Sequence, residues 1–148
     1  MRRALEEATP DLFAVPVPAP SSDGTQDWRA EVSGLVSDML ADAAIAGKDR
    51  HDIAAQMSRL TGHEISKGML DGYSSPARDT FNLPMPWAPV LEVCCESHAL
   101  GAWFASKRGG RLLIGAEAIN AEIGRLQRVA DEAARKMREL KAIARVAA

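Results

Sequence analysis

The stretch that decides the fold is residues 112–148, which read LLIGAEAINAEIGRLQRVADEAARKMRELKAIARVAA. Apolar residues recur in it at alternating spacings of four and three: Leu112, Ala116, Ile119, Ile123, Leu126, Ala130, Ala133, Met137, Leu140 and Ala144. A seven-residue repeat keeps one narrow apolar stripe on the same side of a helix and is typical of a coiled coil. The stretch therefore predicts one long amphipathic helix.

This helix is predicted to pair with another copy of itself. At about 1.5 Å per residue it would be roughly 50 Å long, which is more than a compact domain of this size can cover. We therefore expect residues 111–148 to be an oligomerisation helix. The side chains expected to carry its seam are Ile119, Ile123, Leu126, Met137 and Leu140.

The composition allows one compact domain and an appendage. The chain has 148 residues, 47% of them hydrophobic, and a net charge of −2. The basic excess lies in the tail, because residues 111–148 hold eight Lys/Arg against five Asp/Glu, whereas residues 1–50 hold five against nine. No run approaches the roughly 18 apolar residues of a membrane span, and no signal-peptide pattern follows Arg2 and Arg3. We expect a cytoplasmic protein that does not engage a membrane.

Residues 1–26 are predicted to form a flexible arm. Pro16, Pro18 and Pro20 alternate with other residues, and this pattern excludes a helix. The short run DLFAV at residues 11–15 can dock on a partner as an apolar peptide, or it can belong to a disordered leader.

Residues 27–110 are predicted to form a small helical domain. Apolar periodicity, together with helix-breaking Gly and Pro residues, predicts five helices. They run from Trp28 to about Ala46, from about Asp49 to Thr61, from Ser66 to Tyr73, from an opening at Leu83 to Pro86, and from about His98 to Lys107. Asp27 is the predicted N-cap of the first helix. The core is expected to include the rings of Trp87, Trp103 and Phe104. No segment shows sustained period-two alternation, so the protein is predicted to be all-α.

The second and third of these helices look like a helix-turn-helix. Alanines in the first let the second pack closely across it, Gly62 serves the turn, and Ile65 precedes the N-capping Ser66. Ser66 and Lys67 would then reach bases or phosphates in a major groove, with Arg59 and His63 beside the backbone. The alternative is a plain helical core in which the cations are merely solvated.

Other groups of side chains give weaker evidence for a metal site, a catalytic site or a phosphate site. Cys94, Cys95 and His98 give only three metal ligands of doubtful orientation, and adjacent cysteines in an apolar run are typical of buried reduced thiols. No nucleophile has a catalytic signature around it. The cationic side chains of residues 107–111 can bind a phosphate, or they can interact favourably with the dipole at the C-terminus of a helix. We therefore predict no enzyme activity, no metal and no cofactor.

Several short motifs resemble a known group of proteins. They are MSRLTG at 57–62, ISK at 65–67, MLD at 69–71, NLP at 82–84 and KRGGRLL at 107–113. Together they resemble small early-region proteins of Mu-like transposable phages and prophages, most of which have no assigned activity. The resemblance covers roughly residues 28–130 and implies a phage regulatory or accessory role, without supplying a functional residue.

Two functional hypotheses follow. The first is a phage-encoded dimeric regulator in the host cytoplasm that binds paired half-sites on double-stranded DNA and changes transcription or transposition. A parallel pair suits two DNA readers related by two-fold symmetry, although an antiparallel pair or a higher oligomer stays open. The second is a non-enzymatic adaptor or inhibitor that binds a host or phage protein through its coiled coil and N-terminal arm.

Overall fold

The computed structural model describes residues 16–147, and within that range it is all-α. It contains no β-strand there and six helices, namely α1 (Arg29–Ile45), α2 (Arg50–Thr61), α3 (Lys67–Tyr73), α4 (Ala88–Cys95), α5 (Ala99–Lys107) and α6 (Ala116–Ala147). A short 3-10 turn, Met85–Trp87, leads into α4. The predicted fold class, a small helical domain followed by one long helix, is confirmed.

The chain divides into two units after Leu112, two residues beyond the predicted boundary at residue 110. Helices α1 to α5 form the first unit, and α6 forms the second. The first unit surrounds a single apolar core to which each of its five helices contributes. The fully or almost fully buried side chains of this core include Val36, Leu40, Ile53, Met57, Leu70, Leu91, Cys94 and Leu100.

Local capping chemistry sets the ends of α2 and the start of α3. The Asp49 carboxylate accepts from the Asp52 amide, and Asp52 reciprocates, so the pair forms a capping box. Gly62 ends α2 at φ 70°, in the left-handed region that favours glycine. The predicted N-cap of α3 is confirmed, since the Ser66 hydroxyl accepts from the Met69 amide at 3.2 Å.

The predicted N-cap of α1 is wrong. Trp28 occupies that position, without a side-chain cap, and Asp27 instead forms an ion pair with Arg29 at 2.6 Å. The Arg29 hydrogen bonds lower the pKa of the Asp27 carboxyl to about 2. The same carboxylate also accepts a longer hydrogen bond, at 3.3 Å, from the amide of Arg29, the first residue of α1, while the Arg29 guanidinium supplies its closer, charged donors.

The aromatic side chains of the 3-10 turn and of α5 are less buried than predicted. Trp87 and Trp103 are half-buried, and Phe104 is 54% exposed, so its assignment to the core is wrong. Leu100, which the apolar pattern of α5 also assigns to the core, is buried. Trp103 lies on the α1 side, where its Nε1 donates to Glu31 at 2.7 Å. Pro89 sits in the first turn of α4, as predicted.

The long helix begins later than the heptad pattern predicts. Leu112 precedes α6 and packs against Gly101 of α5, where a Cβ would lie 3.2 Å from the leucine methyl group. Gly115 has φ 61°, a backbone conformation that interrupts a helix. The first position of the predicted seam is therefore wrong, and the helical repeat starts at Ala116.

Part of the predicted arm contacts the domain. Pro18 forms an isolated antiparallel bridge with Arg108, and the Ala19 amide donates to the Lys107 carbonyl at 3.0 Å. The predicted apolar run at residues 11–15 lies outside the described residues. Among residues 16–147, no helix has both the length and the apolar character needed to span a membrane.

Candidate nucleic-acid interface and oligomerisation helix

Helices α2 and α3 pack against each other across a turn of residues 62–66. The Ser58 hydroxyl holds this turn, because it accepts from the Ile65 amide at 2.9 Å and donates to the Ala54 carbonyl at 2.8 Å. Ile65 is buried below the turn. Ser58 was not among the residues predicted to have a structural role. Its place four residues after Ala54 on a helix was the available signal, since Ser commonly bonds to the carbonyl four residues earlier.

The first turn of α3 is its most exposed part. Ser66, Lys67 and Gly68 are exposed, whereas Leu70 and Tyr73 are buried in the core. The Ser66 hydroxyl oxygen is engaged as the cap acceptor, and its hydrogen remains available to donate. The predicted groove-facing residues Ser66 and Lys67 therefore lie together at the exposed end of a helix that is anchored by its other end.

The far end of α3 is fixed against the loop that follows it. A Cβ on Gly72 would lie 2.1 Å from the Phe81 ring, so glycine alone permits this approach. The Tyr73 and Phe81 rings stack with their centroids 5.1 Å apart. These contacts hold the C-terminal end of the seven-residue α3 against the loop.

Asp71 connects the candidate interface to α2. Its carboxylate binds Lys67 Nζ at 2.6 Å and Arg50 Nη1 at 2.8 Å, and Arg50 also donates to Ser74 Oγ at 2.8 Å. Hydrogen bonding by Lys67 and then by Arg50 lowers the pKa of Asp71 below its ordinary value of 3.8. The pairing of Lys67 was not predicted. Its position four residues before an aspartate was the available signal.

The two remaining predicted residues are exposed. Arg59 lies in the last turn of α2, and its charge acts on the Cys94 thiol of α4. The His63 ring lies beside the Trp87 ring, at a centroid distance of 6.2 Å. Three of the four predicted side chains therefore have different neighbours. The Arg59 charge acts on α4, the His63 ring lies near Trp87, and Lys67 binds Asp71.

The second unit presents an apolar stripe along α6. The five predicted seam residues Ile119, Ile123, Leu126, Met137 and Leu140 are all exposed, and so are Val129 and Ile143. The intervening positions carry charge, including an ion pair between Glu122 and Arg125 at 2.6 Å. At about 1.5 Å per residue the 32 residues of this helix extend roughly 48 Å. Exposed apolar surface of this length is typical of a helix that pairs.

The cysteines are in an environment that disfavours the thiolate. Cys94 is buried, Cys95 is half-buried, and both are reduced. Burial raises the pKa of both thiols, that of Cys95 to about 11, and metal ligation requires the deprotonated form. No group of three or more His, Cys, Asp or Glu side chains in residues 16–147 is arranged to hold a metal ion.

The cation at the end of α5 has an internal partner. Lys107 Nζ binds Glu31 at 2.8 Å and lies 3.9 Å from the centroid of the Trp28 ring. The Trp28 and Trp103 rings meet edge to face, with centroids 6.4 Å apart. These contacts join α1 to α5, so Lys107 and the two tryptophans act in packing.

Comparison with known proteins identifies no relative. No protein-family model, no curated protein and no solved structure matches this chain.

Proposed function

We propose that the protein is a dimeric DNA-binding regulator, in which α2 and α3 contact the duplex and α6 pairs two copies. The observation that carries the proposal is the exposed first turn of α3, with Ser66, Lys67 and Gly68 on its surface and its second half anchored in the core. A helix held in this way can enter a major groove with its N-terminal residues leading. Gly68 adds no side-chain bulk where the backbone would approach the DNA.

The pairing of Lys67 with Asp71 is compatible with DNA contact. Both side chains are partly exposed, and they lie at positions i and i+4 of one short helix. Solvent screens such exposed pairs, so they contribute little to stability. A DNA phosphate is also an anion and makes a charge-assisted bond to an ammonium group. Lys67 can therefore exchange Asp71 for a phosphate at small cost, while Arg50 continues to neutralise the carboxylate.

Self-association supports the same function. The apolar stripe of α6, which includes Ile119, Ile123 and Leu126, is exposed in the single chain. Two copies joined there carry two readers, and a symmetric dimer binds two half-sites about one helical turn apart or a multiple of it. The resemblance to early-region proteins of Mu-like phages implies a regulatory or accessory role, and the process that we propose to be regulated is transcription or transposition.

The direct test is binding of the full-length protein to fluorescent duplex DNA at about 50 mM salt, a condition under which even non-specific phosphate contacts are detectable. Lys67→Glu should abolish binding while helicity and oligomeric state stay unchanged. Arg135→Glu is the matched control, because it makes the same charge change at an exposed position of α6. No binding by the wild type, or equal loss in both variants, would contradict the proposal.

A second candidate is a protein-binding adaptor, and the charge of the α2–α3 region favours it. Residues 49–73 hold three Lys/Arg against four Asp/Glu, so this region carries no basic excess. Adaptor binding would use apolar surface and would change little with salt, whereas DNA binding weakens steeply as salt rises. The salt dependence of binding therefore separates the two candidates.

A further inference from the structure

The middle of the α6 seam consists of small side chains. With Ala116 at position a of the heptad, the later a positions hold Ile123, Ala130, Met137 and Ala144, and the d positions hold Ile119, Leu126, Ala133 and Leu140. Ala130 and Ala133 are therefore neighbours in the seam, and both are exposed in the single chain. The direction in which a second copy pairs decides which side chains face these alanines.

A parallel pair would leave the middle of the seam poorly filled. In that arrangement each seam residue faces its own copy, so Ala130 meets the partner's Ala130 and Ala133 meets the partner's Ala133. Layers of large side chains on both sides would hold the helix axes apart, so the methyl groups could not close the gap. A parallel pair would also set Lys136, at a g position, against the partner's Lys141 at the next e position, and two ammonium groups repel each other.

An antiparallel pair would fill the same layers. Each a position then faces a d position of the partner, and one register sets every alanine between residues 116 and 140 opposite a large side chain. Because the pair is two-fold symmetric, each of these layers occurs twice. With the residue of the partner given second, the layers are Ala116 with Leu140, Ile119 with Met137, Ile123 with Ala133, and Leu126 with Ala130.

Moving the partner by one heptad in either direction loses this fit. One shift sets Ala116 against the partner's Ala133, and the other sets Ala130 against the partner's Ala133. In both cases an alanine again faces an alanine. The packing of the seam therefore selects one antiparallel register.

The side chains beside the seam favour the same register. It sets Glu122, at a g position, against the partner's Lys136, and the symmetry provides this contact of opposite charges twice. Val129 meets its own copy at the symmetry axis, which would bury a side chain that is 53% exposed in the single chain. Within one chain Glu122 binds Arg125 at 2.6 Å, and Lys136 lies 3.7 Å from Glu139. The long distance of the second pair leaves the lysine weakly held and able to bind a carboxylate of the partner.

We propose that α6 pairs with a second copy in antiparallel order, with Ala116 of each chain opposite the partner's Leu140. The inference rests on the pairing of two copies in the proposed function, and it adds their direction and register. At about 1.5 Å per residue, the two positions are roughly 36 Å apart along one helix, so the two starts of α6 are separated by that distance. A parallel pair would place them side by side. B-DNA completes one turn in about 34–36 Å, so the antiparallel order suits half-sites one turn apart.

The first test measures self-association of the full-length protein by analytical ultracentrifugation. Lys136→Glu should raise the dissociation constant of the dimer about tenfold, because the new carboxylate faces the partner's Glu122 at both symmetry-related contacts. Adding Glu122→Lys to that variant should restore the wild-type value, because the two charges are exchanged. Arg135→Glu is the matched control, since it makes the same charge change at an exposed position opposite the seam, and it should leave the constant unchanged. In a parallel pair, Lys136→Glu would instead remove the repulsion from the partner's Lys141 and tighten the dimer.

The second test determines the order directly, with a photoreactive benzophenone amino acid in place of Asn120. This exposed residue is at an e position, where antiparallel pairing places it beside the partner's Ala134. After illumination, crosslinked dimers are isolated, digested with trypsin and analysed by mass spectrometry. The crosslink should lie in the peptide of residues 129–135. In a parallel pair it would lie in the peptide of residues 112–125.

A crosslink in residues 112–125, or a tighter dimer in Lys136→Glu, would overturn the antiparallel order. A wild type that stays monomeric would overturn it together with the pairing in the proposed function. Both tests are made without DNA, so their results do not depend on whether α3 reads a duplex. Absence of duplex binding with the expected crosslink would contradict the proposed function alone and would support this inference.

Discussion

Replacing Ile123 and Leu126 together by Asp should convert the protein to monomers. In the single chain these side chains are 48% and 52% exposed, so pairing would bury the half of each that is exposed to solvent. Full burial of such a side chain contributes about 1.5–3 kcal/mol, so half contributes roughly 1 kcal/mol. Two residues in each of two chains therefore contribute about 4 kcal/mol per dimer. Loss of this contribution raises the dissociation constant of the dimer about a thousandfold, and the cost of placing carboxylates in the seam adds to that.

The assay is light scattering of wild type and variant over a range reaching tens of micromolar. Ala118→Asp with Ala121→Asp is the matched control, because both positions are exposed on α6 outside the seam and receive the same two charges. The control should stay oligomeric. A wild type that is monomeric at these concentrations would refute the seam, and so would a seam variant that keeps the wild-type mass.

Three further predictions concern the first unit. Arg59→Ala should weaken duplex binding for all sequences and lower the slope of log binding constant against log salt by about one, as loss of one phosphate contact does; a titration over salt concentration measures it. Lys67→Ala should raise the pKa of Asp71 toward 3.8, because the lysine is the largest cause of its depression. Since the pKa of Asp71 in the folded protein lies below its unfolded value, the stability from this pair is present above about pH 4 and is lost as pH falls through the folded pKa. In the Lys67→Ala variant, NMR of the Asp71 carboxyl carbon should show a smaller depression of the pKa, and acid unfolding should show a smaller loss of stability over this pH range. Trp103→Ala should cost roughly 2 kcal/mol, about half the value for a fully buried ring, because the ring is half-buried and its indole bonds to Glu31; an unchanged urea midpoint would contradict its packing role.

Much of the fold could be predicted because its signals are local. The Ser66 cap, the Gly62 stop and Pro89 in the first turn of α4 each depend on backbone chemistry within a few residues. The heptad repeat predicted α6 for the same reason, since its period is a property of one helix.

The errors arise where a distant contact decides the outcome. Leu112 continues the heptad spacing, yet it packs on Gly101 and precedes α6. Phe104 has core chemistry, but the inward position of α5 belongs to Leu100. Asp27 is a residue type that commonly caps helices, but its carboxylate forms an ion pair with Arg29. Local patterns describe which structures a segment allows, and tertiary contacts select among them.

The candidate site was predicted in part. Sequence spacing identified the capped start of α3 and the exposure of Lys67. It did not identify the Asp71 carboxylate that joins Lys67 to Arg50, because Arg50 lies 21 residues away in the chain. The hydrogen bonds of Ser58 that hold the turn were also not predicted, although one of them is local.

The most direct measurement of the central claim is selection of duplexes from a random-sequence library by the full-length protein. The proposed regulator should enrich inverted repeats whose half-sites are about one helical turn apart or a multiple of it, because the proposed α6 pair would relate two copies of α3 by two-fold symmetry. Lys67→Glu should enrich none. Recovery of no common sequence by the wild type, or of the same sequences by Lys67→Glu, would contradict DNA reading by α3.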